Sequence, residues 1–240
     1  MPKKNYYFSI VIPVHARGDE GLLYFTELLD SINSQYFKNF EVIVSDSSGT
    51  DSYKNILLKY KFSKTHLRST ALNSSSNLNL AIKNATGDFI KVMFSDDLII
   101  SDLMLSYLFI VTKLFKKKWI LLSSYDFKKY KSNSKKIDIV RGRKPRWNNK
   151  LLIGENTISS PSVLLFKNGL EMYFDERVRL LMDTEFYWRF KSLHGLPYFS
   201  SKFYIANREH KGQDQNFIDD KTKIKEQNYV MKIHKYKEIN

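Results

Sequence analysis

Along the first half of the chain, short unbroken apolar runs alternate with stretches in which apolar residues recur every three or four positions. Phe8-Ser9-Ile10-Val11-Ile12-Pro13 is rich in β-branched residues and reads as a buried strand stopped by proline. Leu22, Leu23, Phe25, Leu28, Leu29 and Ile32 fall at helical spacing across residues 20–36. Phe40 to Asp46 repeats the strand signature, and Ser47-Ser48-Gly49-Thr50-Asp51 supplies turn and N-cap chemistry. A helix over 53–60 and a short strand over Leu67 to Ala71 are expected next. The polar stretch Asn73 to Ser76 then leads into a helix over 77–84, with Leu78, Ala81, Ile82 and Ala85 on one face and Gly87 as its C-cap. Phe89 to Phe94 is a further strand and runs into Ser95-Asp96-Asp97. A helix over 102–115 and a strand over Trp119 to Ser123 follow. The β-α-β-α-β alternation predicts an α/β fold, a mostly parallel central sheet with helices on both faces.

Sheets of this kind bind ligands outside the carboxyl ends of their strands. Three polar sets fall at those ends: Pro13 to Arg17, Asp46 to Ser48, and Ser95 to Asp97. Asp96 and Asp97 are adjacent carboxylates that repel each other, so a divalent cation with oxygen ligands is one natural partner. A helix N-cap pair without metal is the other reading. Asp46 fits either a ribose or base contact or simple turn capping. No Gly-x-Gly-x-x-Gly follows the first strand, which disfavours a dinucleotide enzyme. No Gly-Lys-Ser/Thr loop is present, which disfavours a P-loop phosphotransferase.

Composition narrows the chemistry further. The 240 residues are 42% hydrophobic, with 17 Phe, 15 Tyr, 9 Gly and 5 Pro, which excludes a disordered chain. There is no cysteine, so disulfide scaffolds, thiolate nucleophiles and cysteine-based zinc sites are excluded too. The net charge is +14, and +12 of it lies in residues 113–150, where 14 Lys and Arg face only Asp126 and Asp138. That segment reads as an exposed basic surface, suited to water, an anionic membrane or a phosphorylated substrate. No nucleic-acid module signature accompanies it. The longest apolar stretch, Leu103 to Val111, is too short to span a bilayer. The basic N-terminus lacks a small-residue cleavage site, so the expected compartment is the cytoplasm, with contact at the inner membrane through 113–150. Residues 218–240 alternate charge with Ile224, Tyr229, Val230, Ile233 and Tyr236, the pattern of an amphipathic helix packing back on the domain.

Four segments in register, Ser9 to His15, Glu41 to Ser48, Asn79 to Ile90 and Phe94 to Asp97, resemble the family 2 glycosyltransferases of GT-A (Rossmann-like) fold. Three later segments extend the likeness: Gly154 to Phe166 on the acceptor side, Met182 to Arg189 at the start of the base-bearing helix, and Arg208-Glu209-His210 with Gln213. The resemblance implies one transferase domain over 1–217, with a nucleotide-binding half at 1–112, the basic segment at 113–150 and an acceptor and catalytic-base half at 151–217, followed by the helix at 218–240. It implies that Pro13, His15, Arg17, Asp46, Asn79, Ser95 and Asp96 hold a nucleotide sugar, with a UDP-sugar the expected donor. Asp96, Asp97 and His210 would bind Mn2+ or Mg2+, and Asp183 would take the acceptor's proton in an inverting transfer, with Glu185 as the fallback. The expected acceptor is a bacterial surface glycan, free or lipid-linked, such as a capsule or lipopolysaccharide chain. Three positions depart from the family pattern: Phe94 replaces the usual first Asp of the metal motif, Leu78 replaces an Arg, and Met182 replaces a Glu. Apart from the resemblance, Asp183 and Glu185 read as ordinary first-turn carboxylates favoured by the helix dipole. A nucleotidyltransferase and a non-catalytic nucleotide- or glycan-binding module are the competing functions. Trp147 is a candidate exposed aromatic beside the acceptor, whereas Tyr187 and Trp188 read as packing residues.

Overall fold

The computed structural model describes residues 6–71, 73–131, 136–210 and 219–235. Its first half is a parallel sheet of β1 (Phe8–Val14), β2 (Phe40–Asp46), β3 (Ser63–Arg68) and β4 (Phe89–Val92), in the order β3-β2-β1-β4. Every residue of β1 and β2 is buried, which is why these strands read as predominantly apolar runs. Three helices connect them: α1 (Gly18–Asn33), α2 (Ser52–Leu57) and α3 (Ser74–Lys83). The path steps from β1 outward to β3 and then jumps back to β4. Right-handed crossovers therefore put α1 and α2 on one face and α3 on the other. The reversal leaves a crevice at the carboxyl ends of β1 and β4.

The second half continues the same sheet with mixed polarity. It contains β5 (Leu98–Ile99), α4 (Met104–Phe115), β6 (Trp119–Lys131), β7 (Lys136–Arg143), β8 (Leu164–Lys167), α5 (Met182–His194), β9 (Tyr198–Arg208) and α6 (Asp220–Lys235), with 3-10 turns at Asn149–Ile153 and Pro161–Val163. β8 runs antiparallel between β4 and β6, β9 lies parallel to β6, and β5 pairs antiparallel with β9. β7 folds back antiparallel on β6, so the two form a ribbon.

Several expected boundaries move, each for a physical reason. Pro13 lies inside β1 rather than ending it. The Val11 carbonyl faces β4, where it accepts from Met93 N–H at 3.0 Å, so two residues later the nitrogen of Pro13 faces the same side beyond the end of β4, where no donor is required. The third strand is 63–68, not 67–71; it is a polar edge strand that alternates in exposure. Asn84, not Gly87, caps α3. Gly87 instead allows a close approach, since a Cβ there would lie 2.8 Å from the Phe8 carbonyl carbon and the Ser9 nitrogen. Much of the basic 113–150 segment is the β6–β7 ribbon, and β6 runs well past Ser123.

α6 packs back on the domain. Val230 is fully buried beside Val178 and Leu181. Glu226 accepts from the backbone N–H groups of Arg179 (2.9 Å), Leu180 (2.9 Å) and Leu181 (3.1 Å), immediately ahead of α5. Trp147 is half-buried against Trp188, with ring centroids 5.5 Å apart, so it is a packing residue rather than an exposed platform. Tyr187 and Trp188 are buried, as expected. Gln213, Ile218 and Tyr236 lie outside the described residues.

Candidate active site

The polar ends of β1 and β4 meet as the strand order requires. Arg17, just before α1, donates to the Asp96 carboxylate at 2.9 Å. His210, just after β9, meets the same carboxylate oxygen at 2.8 Å and lies 3.3 Å from the Arg17 guanidinium. Burial pushes the Asp96 carboxyl up, but the hydrogen bond from His210 and the charge of Arg17 outweigh it and hold the group below the usual carboxylate range. Asp96 is therefore an anion whose Oδ2 meets both Arg17 and His210.

Asp97 points elsewhere. It accepts from Ser160 Oγ at 3.1 Å and from the Arg208 backbone N–H at 3.1 Å. Burial, reinforced by the charge of Asp96, raises its carboxyl. Beneath it lies Lys91, fully buried in β4, whose ammonium donates to the carbonyls of Val92 (2.8 Å) and Ser162. Ser162 Oγ in turn accepts from Phe94 N–H at 2.9 Å. Arg208 completes the support by donating from Nε to the Asp96 carbonyl at 3.0 Å and from Nη2 to Glu27. These bonds fix the 94–97 loop against the turn at 160–162.

The two aspartates thus do not form a tandem cation site. Among the described residues no group of three or more His, Asp or Glu side chains converges in a way that could hold a metal. The donors that fit a divalent cation best are Asp96 and His210, an oxygen and an imidazole nitrogen at the crevice; a cation there would replace the contact that Asp96 Oδ2 and His210 Nε2 now make with each other, with substrate oxygens needed to complete a shell. Asp97 does not fit, because its oxygens are taken up by Ser160 and Arg208.

Asp183 sits at the start of α5. Its carboxylate accepts from Thr184 N–H at 2.7 Å and from the Asn156 side chain. Burial raises its pKa to about 6, against the opposing pull of these two donors. Glu185, the fallback, is fully buried and held by Arg189 at 2.7 and 2.9 Å, with His234 at 3.4 Å. It lines a different cavity and lies away from the crevice.

Two hollows meet here. The smaller, about 200 Å3, is bordered by Pro13, His15, Arg17, Ser95, Asp96 and Asp97. The larger, about 820 Å3, is bordered on one side by the β6–β7 ribbon. Asp183, Ser160 and Asn207 belong to both walls. His15 is braced by Ser47 Oγ at 2.7 Å, with Ser74 Oγ at 3.3 Å. His210 borders the larger hollow.

Asp46 and Asn79 border neither hollow. Asp46 has no exposed surface; its oxygens accept from Ser48 N–H and meet His66 Nε2, both at 2.8 Å, so it ties β2 to β3. Asn79 is spent on backbone, donating to Phe174 O at 2.8 Å and accepting from Phe174 N–H at 2.8 Å, with Glu176 at 3.0 Å. It clamps the segment leading to α5 instead of shaping a nucleotide pocket. Sequence reasoning missed Lys91, Asn156, Ser160 and Asn207. Asn156 and Ser160 fall within the 154–166 segment, but nothing local gives them a role there, and the partners that matter to the site lie far along the chain.

Residues 9–114 match the family described as Glycosyl transferase family 2. An uncharacterised glycosyltransferase of Rickettsia typhi is 29% identical over 227 residues, which cover 89% of this chain and 68% of that protein. The poly(ribitol-phosphate) β-N-acetylglucosaminyltransferase TarS of Staphylococcus aureus is 35% identical over 99 residues, 38% of this chain and 16% of TarS. The crystal structure of TarS 1–349 with UDP-GlcNAc superposes with a TM-score of 0.63 at 19% identity, over 88% of this chain and 61% of that one. The mannosyltransferase PcManGT of Pyrobaculum calidifontis, with GDP-Man and Mn2+, superposes with a TM-score of 0.62 at 16% identity, over 89% and 60%. The chain thus spans about 60% of the length of these solved chains, which share its fold.

Proposed function

The chain belongs to the family 2 glycosyltransferases and has their GT-A fold, and from that premise we propose that it moves a sugar, with inversion, from a UDP-sugar to a hydroxyl of a bacterial surface glycan. The observation that carries this reading is the position of Asp183, a carboxylate with a pKa near 6 on the wall common to two hollows. Donor on one side and acceptor on the other would bring the reacting atoms together at that residue.

In this reading the smaller crevice takes the nucleotide sugar, with Arg17 and His15 at its diphosphate. TarS, crystallised with UDP-GlcNAc, supports a uridine donor, and its poly(ribitol-phosphate) acceptor supports a surface polymer. Asp183 accepts the proton of the attacking hydroxyl as that oxygen bonds to the anomeric carbon. The carbon–oxygen bond to the diphosphate breaks on the opposite side. Arg17 counters the charge that develops on the leaving group. Asp96 and His210 would hold Mn2+ or Mg2+, which, when bound, would neutralise the departing diphosphate. Work at the cytoplasmic face of the membrane fits this acceptor; among the described residues no helix is long and apolar enough to cross a bilayer.

Thermal unfolding with UDP, GDP, ATP and NAD, each with and without Mn2+, tests the donor class, because a ligand of the native state raises the midpoint. The expected result is a UDP shift enlarged by Mn2+, together with slow release of free sugar from a UDP-sugar. A shift only with ATP or NAD would overturn the proposal. The second reading, a non-catalytic binding module, draws on Phe94 and on the internal pairing of Asp96 and Asp97. UDP binding with no turnover of any UDP-sugar would favour it.

A further inference from the structure

The larger hollow carries a charge pattern that the transfer reaction does not itself require. Lys128, Lys129, Arg141 and Arg143 of the β6–β7 ribbon border the hollow that Asp183 borders. Asp126, only 3% exposed, accepts from Nε of Arg141 and, at 2.7 Å, from Nε of Arg143, both on the same oxygen. Burying a carboxylate and drawing two like-charged guanidiniums onto it is costly, and solubility alone does not call for it. The arrangement fixes the two guanidinium planes while both Arg residues bind Asp126 through Nε. Both side chains border the hollow, and the Arg141 terminal nitrogen lies 3.8 Å from Glu209, which borders it too. Lys128 and Lys129 are exposed, and among the described residues neither forms an ion pair. A pre-oriented pair of forks with two mobile ammonium groups beside it is a receptor for oxyanions spaced along a polymer.

Resting on the reading of this hollow as the acceptor side, we propose that the acceptor is an anionic glycan, its charge borne by phosphodiesters or carboxylates. The ribbon grips the charges flanking the reacting hydroxyl. Lys128 and Lys129 make the adjustable contacts, and Asp126 holds Arg141 and Arg143 in register.

The test uses the full chain with saturating UDP and three fluorescent oligomers of equal length: an oligo(ribitol phosphate), an oligouronide and a neutral oligoglucan. At least one anionic oligomer is expected to bind about tenfold or more tighter than the neutral one, with affinity falling as salt rises. The oligomer that wins identifies phosphate or carboxylate. Lys128→Gln combined with Lys129→Gln should cut that affinity about tenfold, since each charged contact contributes appreciably. Lys116→Gln with Lys117→Gln removes the same charge elsewhere and should leave it near the parent value. Equal binding of the neutral oligomer, or equal losses in the two double variants, overturns the proposal. A missing UDP thermal shift in the parent protein would sink the transferase reading instead, so the two failures are distinguishable.

Discussion

Asn156 and Asp183 are 27 residues apart and share a hydrogen bond, in which the side-chain amide donates to the carboxylate; the same amide nitrogen also reaches the Ser159 carbonyl at 3.0 Å. One amide therefore anchors the turn and orients the Asp183 carboxylate, the proposed base. The carboxyl, raised to about 6 by burial, must be ionised to take a proton. Turnover should climb with pH and level off above about 6, as the kcat/KM profile will report. Asn156→Ala removes a donor that favours the ionised form and should move the rising limb to higher pH. A profile flat from pH 5 to 8 would rule Asp183 out as the base.

Asp183→Asn should lower turnover by about 10²–10⁴ while UDP still binds. The same change should stabilise the fold at alkaline pH. A carboxyl whose pKa is higher in the native state than in the unfolded chain retains its proton longer on folding, so stability falls as pH rises from about 4 to about 6 and stays lower above that. Asparagine escapes this penalty. Urea unfolding at pH 8 should therefore favour the variant by up to about 3 kcal/mol, and the difference should vanish near pH 4.

Asn79 separates two roles. If it clamps Phe174 and Glu176, Asn79→Ala costs about 1–3 kcal/mol by stranding buried backbone groups, and UDP affinity barely moves. Paired denaturation and UDP titration decide the matter; a variant of parental stability that no longer binds UDP would restore its nucleotide role.

The roles of the two aspartates also separate. Asp96→Ala or His210→Ala should weaken Mn2+ binding to the UDP complex about tenfold or more, the scale of losing one ligand. Asp97→Asn should show mainly in the melting temperature, because Asp97 contacts Ser160 and the Arg208 backbone. Calorimetric Mn2+ titration of the variants checks the contrast, and an equal loss of affinity for Asp97→Asn would contradict it.

Gly87→Ala should destabilise the protein by about 1–3 kcal/mol, because the new methyl would press on the backbone of β1, which cannot rotate out of the way. Chemical denaturation gives the number directly, and a neutral substitution would show that β1 and β4 can part.

Burial on both faces made β1, β2 and β4 legible, since β-branched and aromatic residues dominate them and the few polar ones, such as Ser9, Glu41 and Lys91, are buried with the rest. β3 was misplaced because Lys64 and His66 carry no apolar signal on an edge strand. The far half of β6 was hidden by Ser123, Ser124 and Asp126, polar residues buried through contacts with β7, β9 and the turn at 159. The meeting of Arg17 with Asp96 followed from strand-end geometry. The turning away of Asp97 did not, because it depends on Ser160 and Arg208, 63 and 111 residues further on.

Glu226 gathers three amide hydrogens just upstream of the helix that begins at Met182. This ties the last helix to the proposed reaction centre at Asp183 like a bolt through a hinge plate. Heating that loosened this terminal segment first would extinguish catalysis while the sheet beneath remained intact. The temperature at which the protein stops working would then lie below the temperature at which it melts.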